Sequence, residues 1–297
     1  MCGLVGLYQK EGEALQRIFD GLIQVQHRGQ DAGGICTLQS SKINTHKELG
    51  LISEIFRNID INILKGNIGI GHVRYPTAGT DNVNEAQPFH TTNPINIALA
   101  HNGTLTNSDE IKTKLTKLNF CQFNTNSDSE VLLNLLSYEL FKTNKNEFSN
   151  TDILDVLKRI FNQCQGGYAV VALISGIGLV AFRDPNGIRP LALGKNHNGS
   201  YLLASESSAI TSLGFEVLKD VKPGEAIIIN LDGSVEEKHI IRGMQHTPCL
   251  FEYVYFSRPD STIDSISVHK SRLRMGDYLG EKIATQYSHL NIDVVIP

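Results

Sequence analysis

What most limits the folds open to this chain is how its secondary-structure patterns are grouped. Strand-like runs fall at residues 2–8, 34–38, 43–48, 68–75 and 95–101. One amphipathic stripe interrupts them: Leu15, Ile18, Phe19, Leu22 and Ile23 recur at i, i+3 and i+4 and end near His27-Arg28-Gly29. Two helical stripes follow, the first Val131, Leu132, Leu135, Leu136 and Leu140, the second Ile153, Leu154, Leu157, Ile160 and Phe161. Strand patterns then return at 168–174, 179–183, 191–193, 201–204, 226–230 and 235–241. Strands and helices in blocks, without strict alternation, predict an α+β fold built on antiparallel sheets.

Local signals refine this expectation. Residues 76–94 are rich in Gly, Asn, Thr and Pro and read as a surface loop. Ser127-Asp128-Ser129-Glu130 has the spacing of a capping box. Beyond residue 240 the character changes, with an aromatic, extended run at 249–257, a turn at Arg258-Pro259-Asp260, a helical pattern over 268–287 and an apolar strand run at 292–296. The expected division is therefore a domain over 2–240 and the incomplete beginning of a second over 241–297, which is short for a domain.

Composition narrows the function classes. A formal net charge of −4 with 20% charged residues leaves no global basic field for nucleic acid. Any anionic substrate must meet a local cluster of donors. The five cysteines, Cys2, Cys36, Cys121, Cys164 and Cys249, are scattered with no Cys-x-x-Cys pair. That pattern argues against a disulfide framework or zinc site and for a reducing compartment. No run approaches the ~18 apolar residues that cross a bilayer, and no basic-then-apolar leader begins the chain. The expected location is the cytoplasm.

Cys2 in Met1-Cys2-Gly3-Leu4-Val5-Gly6-Leu7 carries two readings. It is either a small apolar residue at a strand end, where free cysteine often sits, or a nucleophile. Once Met1 is removed, thiol and free α-amine share one Cα. The amine titrates near ~7.7–8.0, so it can serve as the base for its own thiol.

Four polar stations accompany Cys2. In His72-Val73-Arg74-Tyr75-Pro76-Thr77, Arg74 offers a planar fork for a carboxylate and Thr77 a hydroxyl. His101-Asn102-Gly103-Thr104 reads as a hairpin turn after a strand, exposing the Asn102 side-chain amide and the Gly103 N–H as a pair of oxyanion donors. Asp128, at a helix start, either caps first-turn amides or faces a ligand ammonium group. Arg28-Gly29-Gln30-Asp31 reads as packing, with Gly29 marking close backbone approach. Together these describe an amide hydrolase acting on a free amino acid, glutamine.

The motifs Cys2-Gly3-Leu4-Val5-Gly6, Gln26-His27-Arg28-Gly29-Gln30-Asp31, Gly71-His72-Val73-Arg74-Tyr75-Pro76-Thr77 and His101-Asn102-Gly103-Thr104-Leu105 resemble class II glutamine amidotransferases. The wording of the second and third, with Phe251-Glu252-Tyr253-Val254-Tyr255-Phe256-Ser257-Arg258-Pro259-Asp260-Ser261, is similar to the amidophosphoribosyltransferase family. The resemblance implies an N-terminal-nucleophile fold, a four-layer αββα sandwich followed by the start of an α/β phosphoribosyltransferase domain. It implies Cys2 as nucleophile, Asn102 and Gly103 as oxyanion hole, and Arg74, Thr77, Gly103 and Asp128 as glutamine-binding positions. Ammonia would then displace pyrophosphate from 5-phosphoribosyl 1-diphosphate with Mg²⁺, giving 5-phosphoribosylamine in purine synthesis. It further implies homo-oligomers and feedback by purine nucleotides.

Two departures qualify these expectations. The family's diphosphate-binding signature, an acidic pair before a Gly/Thr-rich loop, is absent here and is expected beyond Pro297, leaving this chain at most a glutaminase. Cys249 stands where some members place one iron–sulfur cluster ligand, but its partners are missing, so it reads as structural. The rival readings are an amidotransferase aminating a hexose phosphate, against which the 251–261 stretch speaks, and a non-catalytic relic of the fold.

Because Cys2 would supply its own base, retention of Met1 is expected to suppress glutamine hydrolysis, the amine having become an amide. Comparing glutaminase rates of processed and unprocessed chain checks this; equal rates would count against it.

Overall fold

The computed structural model describes residues 2–75 and 82–296; Thr77 therefore lies outside the described residues. In chain order the elements begin with β1 (Gly3–Tyr8), α1 (Leu15–Gln24), β2 (Ala32–Gln39), β3 (Lys42–Leu49), α2 (Ile52–Ile55), β4 (Ile68–Arg74), β5 (Phe89–Thr91) and β6 (Ile97–Leu105). There follow α3 (Ser108–Lys117), α4 (Asp128–Phe141), α5 (Asn150–Gln163), β7 (Gly166–Ile174), β8 (Gly178–Arg183), β9 (Ala192–Lys195) and β10 (Tyr201–Ala204). The rest comprises α6 (Ser207–Ser212), β11 (Glu216–Asp220), β12 (Glu225–Asn230), β13 (Val235–His239), β14 (Thr262–Ile263), β15 (Ile266–Ser267) and α7 (Val268–Gln286).

Among the described residues the strands form two large antiparallel sheets, ordered β11-β9-β10-β1-β4-β2-β3 and β13-β12-β8-β7-β6-β5, plus a β14-β15 ribbon. Side-chain alternation explains the layering. On β1, Leu4 and Tyr8 point into the core between the sheets, whereas Val5 and Leu7 meet Ile18 and Leu22 of α1. On β6, Ala98 and Ala100 face the same inter-sheet core, while Ile97 and Leu99 meet α3, α4 and α5. Helices therefore cover the outer face of each sheet, completing the expected four layers. Each fully buried aliphatic side chain contributes about 1.5–3 kcal/mol.

Several local expectations are corrected. Asn102-Gly103 is not a hairpin turn: β6 continues to Leu105, with Asn102 opposite Ala169 and Gly103 opposite Tyr168 on β7. The long ladder with β7 outweighs the local turn preference. Ser127 does cap α4, accepting from Ser129 N at 3.3 Å, but Glu130 turns away to Asn124 N (2.9 Å) and Thr125 N (2.8 Å), so the box is not closed. The described part of the 76–94 loop holds a short strand, β5, with Glu85 and Gln87 buried.

The 249–257 run is not extended: Glu252–Phe256 forms one turn of π-helix. Its i+5 spacing lets Ser257 N reach Glu252 O at 3.1 Å and puts both side chains on one side, where Ser257 Oγ bonds Glu252 Oε2 at 2.8 Å. Residues 292–296 form no strand and are exposed, having no neighbouring strand to pair with among the described residues. α3, α6 and β11 lie where the sequence patterns indicated nothing.

His72, on the inter-sheet face of β4, is fully buried with neither ring nitrogen hydrogen-bonded among the described residues. Burial, with His101 adding to it, pushes its pKa down to about 3. An unfolded His titrates near ~6.5, so below that pH the unfolded chain takes up a proton that the folded chain refuses. Stability from this group is thus lost as pH falls from ~6.5 toward 3. His72→Gln is expected to flatten the pH dependence of the urea midpoint across that window; parallel curves for both proteins would contradict it.

Candidate active site

Strand register builds the site. β1 and β4 are antiparallel with Gly3 opposite Val73, so Cys2, just before β1, and Arg74, closing β4, emerge at one sheet end. Continuing the β1 alternation, Cys2 shares the face of Leu4 and looks toward the second sheet. There the alternation of β6 turns Asn102 inward, and Cys2 N donates to Asn102 Oδ1 at 3.2 Å. The side-chain nitrogen of Asn102 is buried with no partner among the described residues, a donor left available for an oxygen that arrives only with a ligand.

A cavity of about 240 Å³ opens at this point, lined by Cys2, Arg74, Glu85, Gly103, Asp128 and their neighbours. Its size suits one small molecule better than the ~300–1,000 Å³ pockets of drug-sized ligands. A larger cavity of about 680 Å³ lies between β3, β5 and α4, but Cys2 does not line it. The smaller one gathers Cys2, Arg74, Gly103 and Asp128.

Each side chain in the smaller cavity is locally held. Arg74 is buried, with Nη2 paired to Glu85 Oε2 at 2.5 Å, a partner that sequence reading missed inside what looked like a loop. Asp128 does not cap α4: its Oδ2 accepts from Leu105 N at 2.9 Å, tying the helix start to the end of β6. Its Oδ1 lies 3.8 Å from His101 Nδ1, which also meets Ser129 Oγ at 3.1 Å. Burial lowers the His101 pKa, with Asp128 opposing that shift. Gly103 has φ +156°, and an added Cβ there would run into the Gly167 carbonyl, so β6 and β7 approach this closely only with glycine.

The Arg28 stretch, read from sequence as packing, proves to border the nucleophile. Arg28 is fully buried, and its Nε donates to Cys2 O at 3.0 Å. Its Nη1 meets Glu206 Oε1 at 2.6 Å and its Nη2 meets Glu252 Oε1 at 2.7 Å. Though burial works against its charge, Glu206 is held down to about 2 by His27 and Arg28. For Glu252 the only sequence signal was an acidic residue inside an aromatic run, and Glu206, set among serines, carried none. Gly29 is needed because a Cβ would strike the backbone of Arg74.

Part of Cys2 remains accessible, but the protein packed around it pushes its thiol above the ordinary value. The thiol is therefore protonated at rest, and its proton must pass to a local base as a bond forms. All five cysteines are free, and the described residues gather no group of three His, Cys, Asp or Glu that could hold a metal. Among the described residues no such group surrounds Cys249. No described helix is long and apolar enough to cross a membrane.

Comparison with known proteins finds amidotransferases. A glutamine amidotransferase domain model matches residues 72–212. The chain is 48% identical over 302 residues to amidophosphoribosyltransferase of Pasteurella multocida and likewise to that of Escherichia coli, covering 100% of this chain and 60% of each relative. The solved structure of glutamine phosphoribosylpyrophosphate (PRPP) amidotransferase from B. subtilis complexed with ADP and GMP superposes with a TM-score of 0.82 at 36% identity, covering 95% of this chain and 58% of that one. The chain thus spans about 60% of the length of the curated relatives it matches.

Arg74→Lys keeps the positive charge and loses the planar fork. It is expected to weaken apparent affinity for glutamine roughly tenfold, the scale of one lost charge-assisted hydrogen bond, with little change in turnover. Steady-state kinetics check this; a fall in turnover at unchanged KM would contradict it.

Proposed function

We propose that the chain belongs to the amidophosphoribosyltransferase family, to whose members it is up to 48% identical, and that it hydrolyses glutamine at Cys2 to supply ammonia. What supports the reading most is the placement of Cys2, which lines a cavity with Arg74, Gly103 and Asp128, with its N 3.2 Å from Asn102 Oδ1, while the buried Asn102 Nδ2 has no partner among the described residues.

In this reading Met1 has been removed, and one amine hydrogen of Cys2 stays on Asn102 Oδ1 while the nitrogen lone pair takes the thiol proton. The sulfur attacks the side-chain carbonyl carbon of glutamine. The oxygen that becomes negative is met by Asn102 Nδ2 and the Gly103 N–H. The protonated amine returns its proton to the departing nitrogen, and ammonia leaves a thioester. Water, deprotonated by the same amine, then cleaves the thioester to glutamate and free thiol. Arg74 takes the substrate carboxylate, Asp128 the substrate ammonium, and Thr77 completes the set. The raised thiol pKa makes the internal base necessary.

The wider activity is part of the same proposal: ammonia transfer to 5-phosphoribosyl 1-diphosphate, giving 5-phosphoribosylamine, glutamate and pyrophosphate at the opening of purine synthesis. Residues 2–240 would be the glutaminase domain and 241–297 the beginning of a phosphoribosyltransferase domain. Mg²⁺ would supply charge neutralisation on the diphosphate, and no described residue set holds it. Purine nucleotides are proposed as regulators, in keeping with the ADP and GMP bound to the B. subtilis relative. A homo-oligomeric, cytoplasmic enzyme completes the reading.

A chloroketone analogue of glutamine tests it. One covalent adduct, mapped to Cys2 and blocked by excess glutamine, is the expected outcome. A correctly processed chain that stays unlabelled would sink the proposal in favour of a non-catalytic relic.

A further inference from the structure

The network behind Cys2 reaches far along the chain. Arg28 Nε holds the Cys2 carbonyl, and two fully buried carboxylates aim the rest of the guanidinium: Glu206, entering α6, and Glu252, on the π-helical turn. Ser257 closes that turn, its Oγ donating to Glu252 Oε2 at 2.8 Å. Arg272 of α7 braces it from outside, with Nε on Tyr253 O at 2.9 Å and Nη2 on Ser257 O at 2.7 Å. Glu206 also accepts from Arg258 N at 2.8 Å and Ser261 Oγ at 2.9 Å, so the segment after the turn is bound to the same cluster.

We propose that Glu252 is a positioning residue for the nucleophile: acting through Arg28, it sets where the Cys2 carbonyl, and hence the Cys2 amine and thiol, lie. This rests on the glutaminase reading above and adds to it a dependence on the 252–257 turn and α7. The guanidinium is a rigid plane whose donors leave in fixed directions. Cys2 O, Glu206 and Glu252 at 2.6–3.0 Å, with a longer contact to Ser257 Oγ at 3.4 Å, determine its orientation. With Glu252 withdrawn, the Nη2 protons lose their acceptor in a fully buried site, so the plane re-aims toward the remaining acceptors. Nε moves with the plane, and Cys2 with Nε. The groups proposed to hold glutamine, Arg74 and Asp128, sit on β4 and α4 and do not share this network. Displacement should therefore appear in turnover and leave affinity alone.

Two conservative variants separate reach from charge. Glu252→Asp keeps the charge but falls one methylene short of Arg28; Glu252→Gln keeps the reach and an accepting oxygen. Glutaminase kcat in E252D is expected to fall roughly ten- to a hundredfold, the scale of a misplaced reacting group, with KM within about twofold. E252Q is expected to retain more kcat than E252D. Asp260→Ala serves as control, because the exposed Asp260 lies in the same segment and, among the described residues, pairs with the Arg258 guanidinium outside the Arg28 cluster. Wild-type kcat in both variants, a loss confined to KM, or a greater loss in E252Q than in E252D would overturn the proposal.

A second measurement does not depend on turnover. In chain labelled with ¹³C at cysteine carbonyls, the Cys2 resonance should shift in E252D and stay put in Asp260→Ala. An unmoved Cys2 resonance in E252D would overturn the coupling whether or not the chain hydrolyses glutamine. A wild-type chain without glutaminase activity would overturn only the reading on which the coupling is built.

Discussion

The antiparallel pairing of β1 with β4 is the constraint from which the rest of the site follows. With Gly3 opposite Val73, the residue ahead of one strand and the last residue of the other are forced to one sheet end. Stacking the second sheet against this one then presents Asn102 to Cys2 across the inter-sheet core. A slip of one residue would turn Cys2 toward α1 and away from Asn102, because side chains alternate with period two. The inter-sheet face of β1 carries Leu4 and Tyr8 and its other face carries Val5 and Leu7 against α1, so such a slip would also force both buried faces to repack.

Behind the nucleophile the structure buries charge. A fully enclosed arginine is costly unless its donors are met, and here Arg28 is met by Cys2 O, Glu206 and Glu252. Removing any one partner leaves the others uncompensated, so the cluster behaves as a unit. It also joins residues at the start, middle and end of the chain. A second buried pair repeats the device: Arg183 grips Asp264 through two parallel hydrogen bonds of 2.7 and 2.8 Å. Together these pairs hold the segment after residue 249 against the sandwich.

Much of the site was legible because its residues punctuate apolar strands. A cysteine opening the first strand, an arginine closing another and an Asn-Gly pair inside a third are each anomalous against their surroundings. The errors came where a local preference lost to a longer-range one. Asn102-Gly103 favours a turn, but a nine-residue strand pairing with β7 carried the chain straight through. Glu130 had the spacing to close a capping box, yet the exposed amides at Asn124 and Thr125 claimed it. The alternating aromatics after Cys249 suggested a strand, yet they form a helical turn that brings Glu252 to Arg28.

The sequence by itself determined the α+β class, the order of most elements and the chemistry available at residues 2, 74, 102, 103 and 128, because periodicity and residue type are local properties. Only the tertiary structure decided which groups already have partners. It gave Glu85 to Arg74, Leu105 N to Asp128, and Arg28 with its two carboxylates to the nucleophile. Hydrogen bonds between residues 178 and 224 positions apart leave no periodic trace, since they are set by register, sheet stacking and the need to neutralise buried charge.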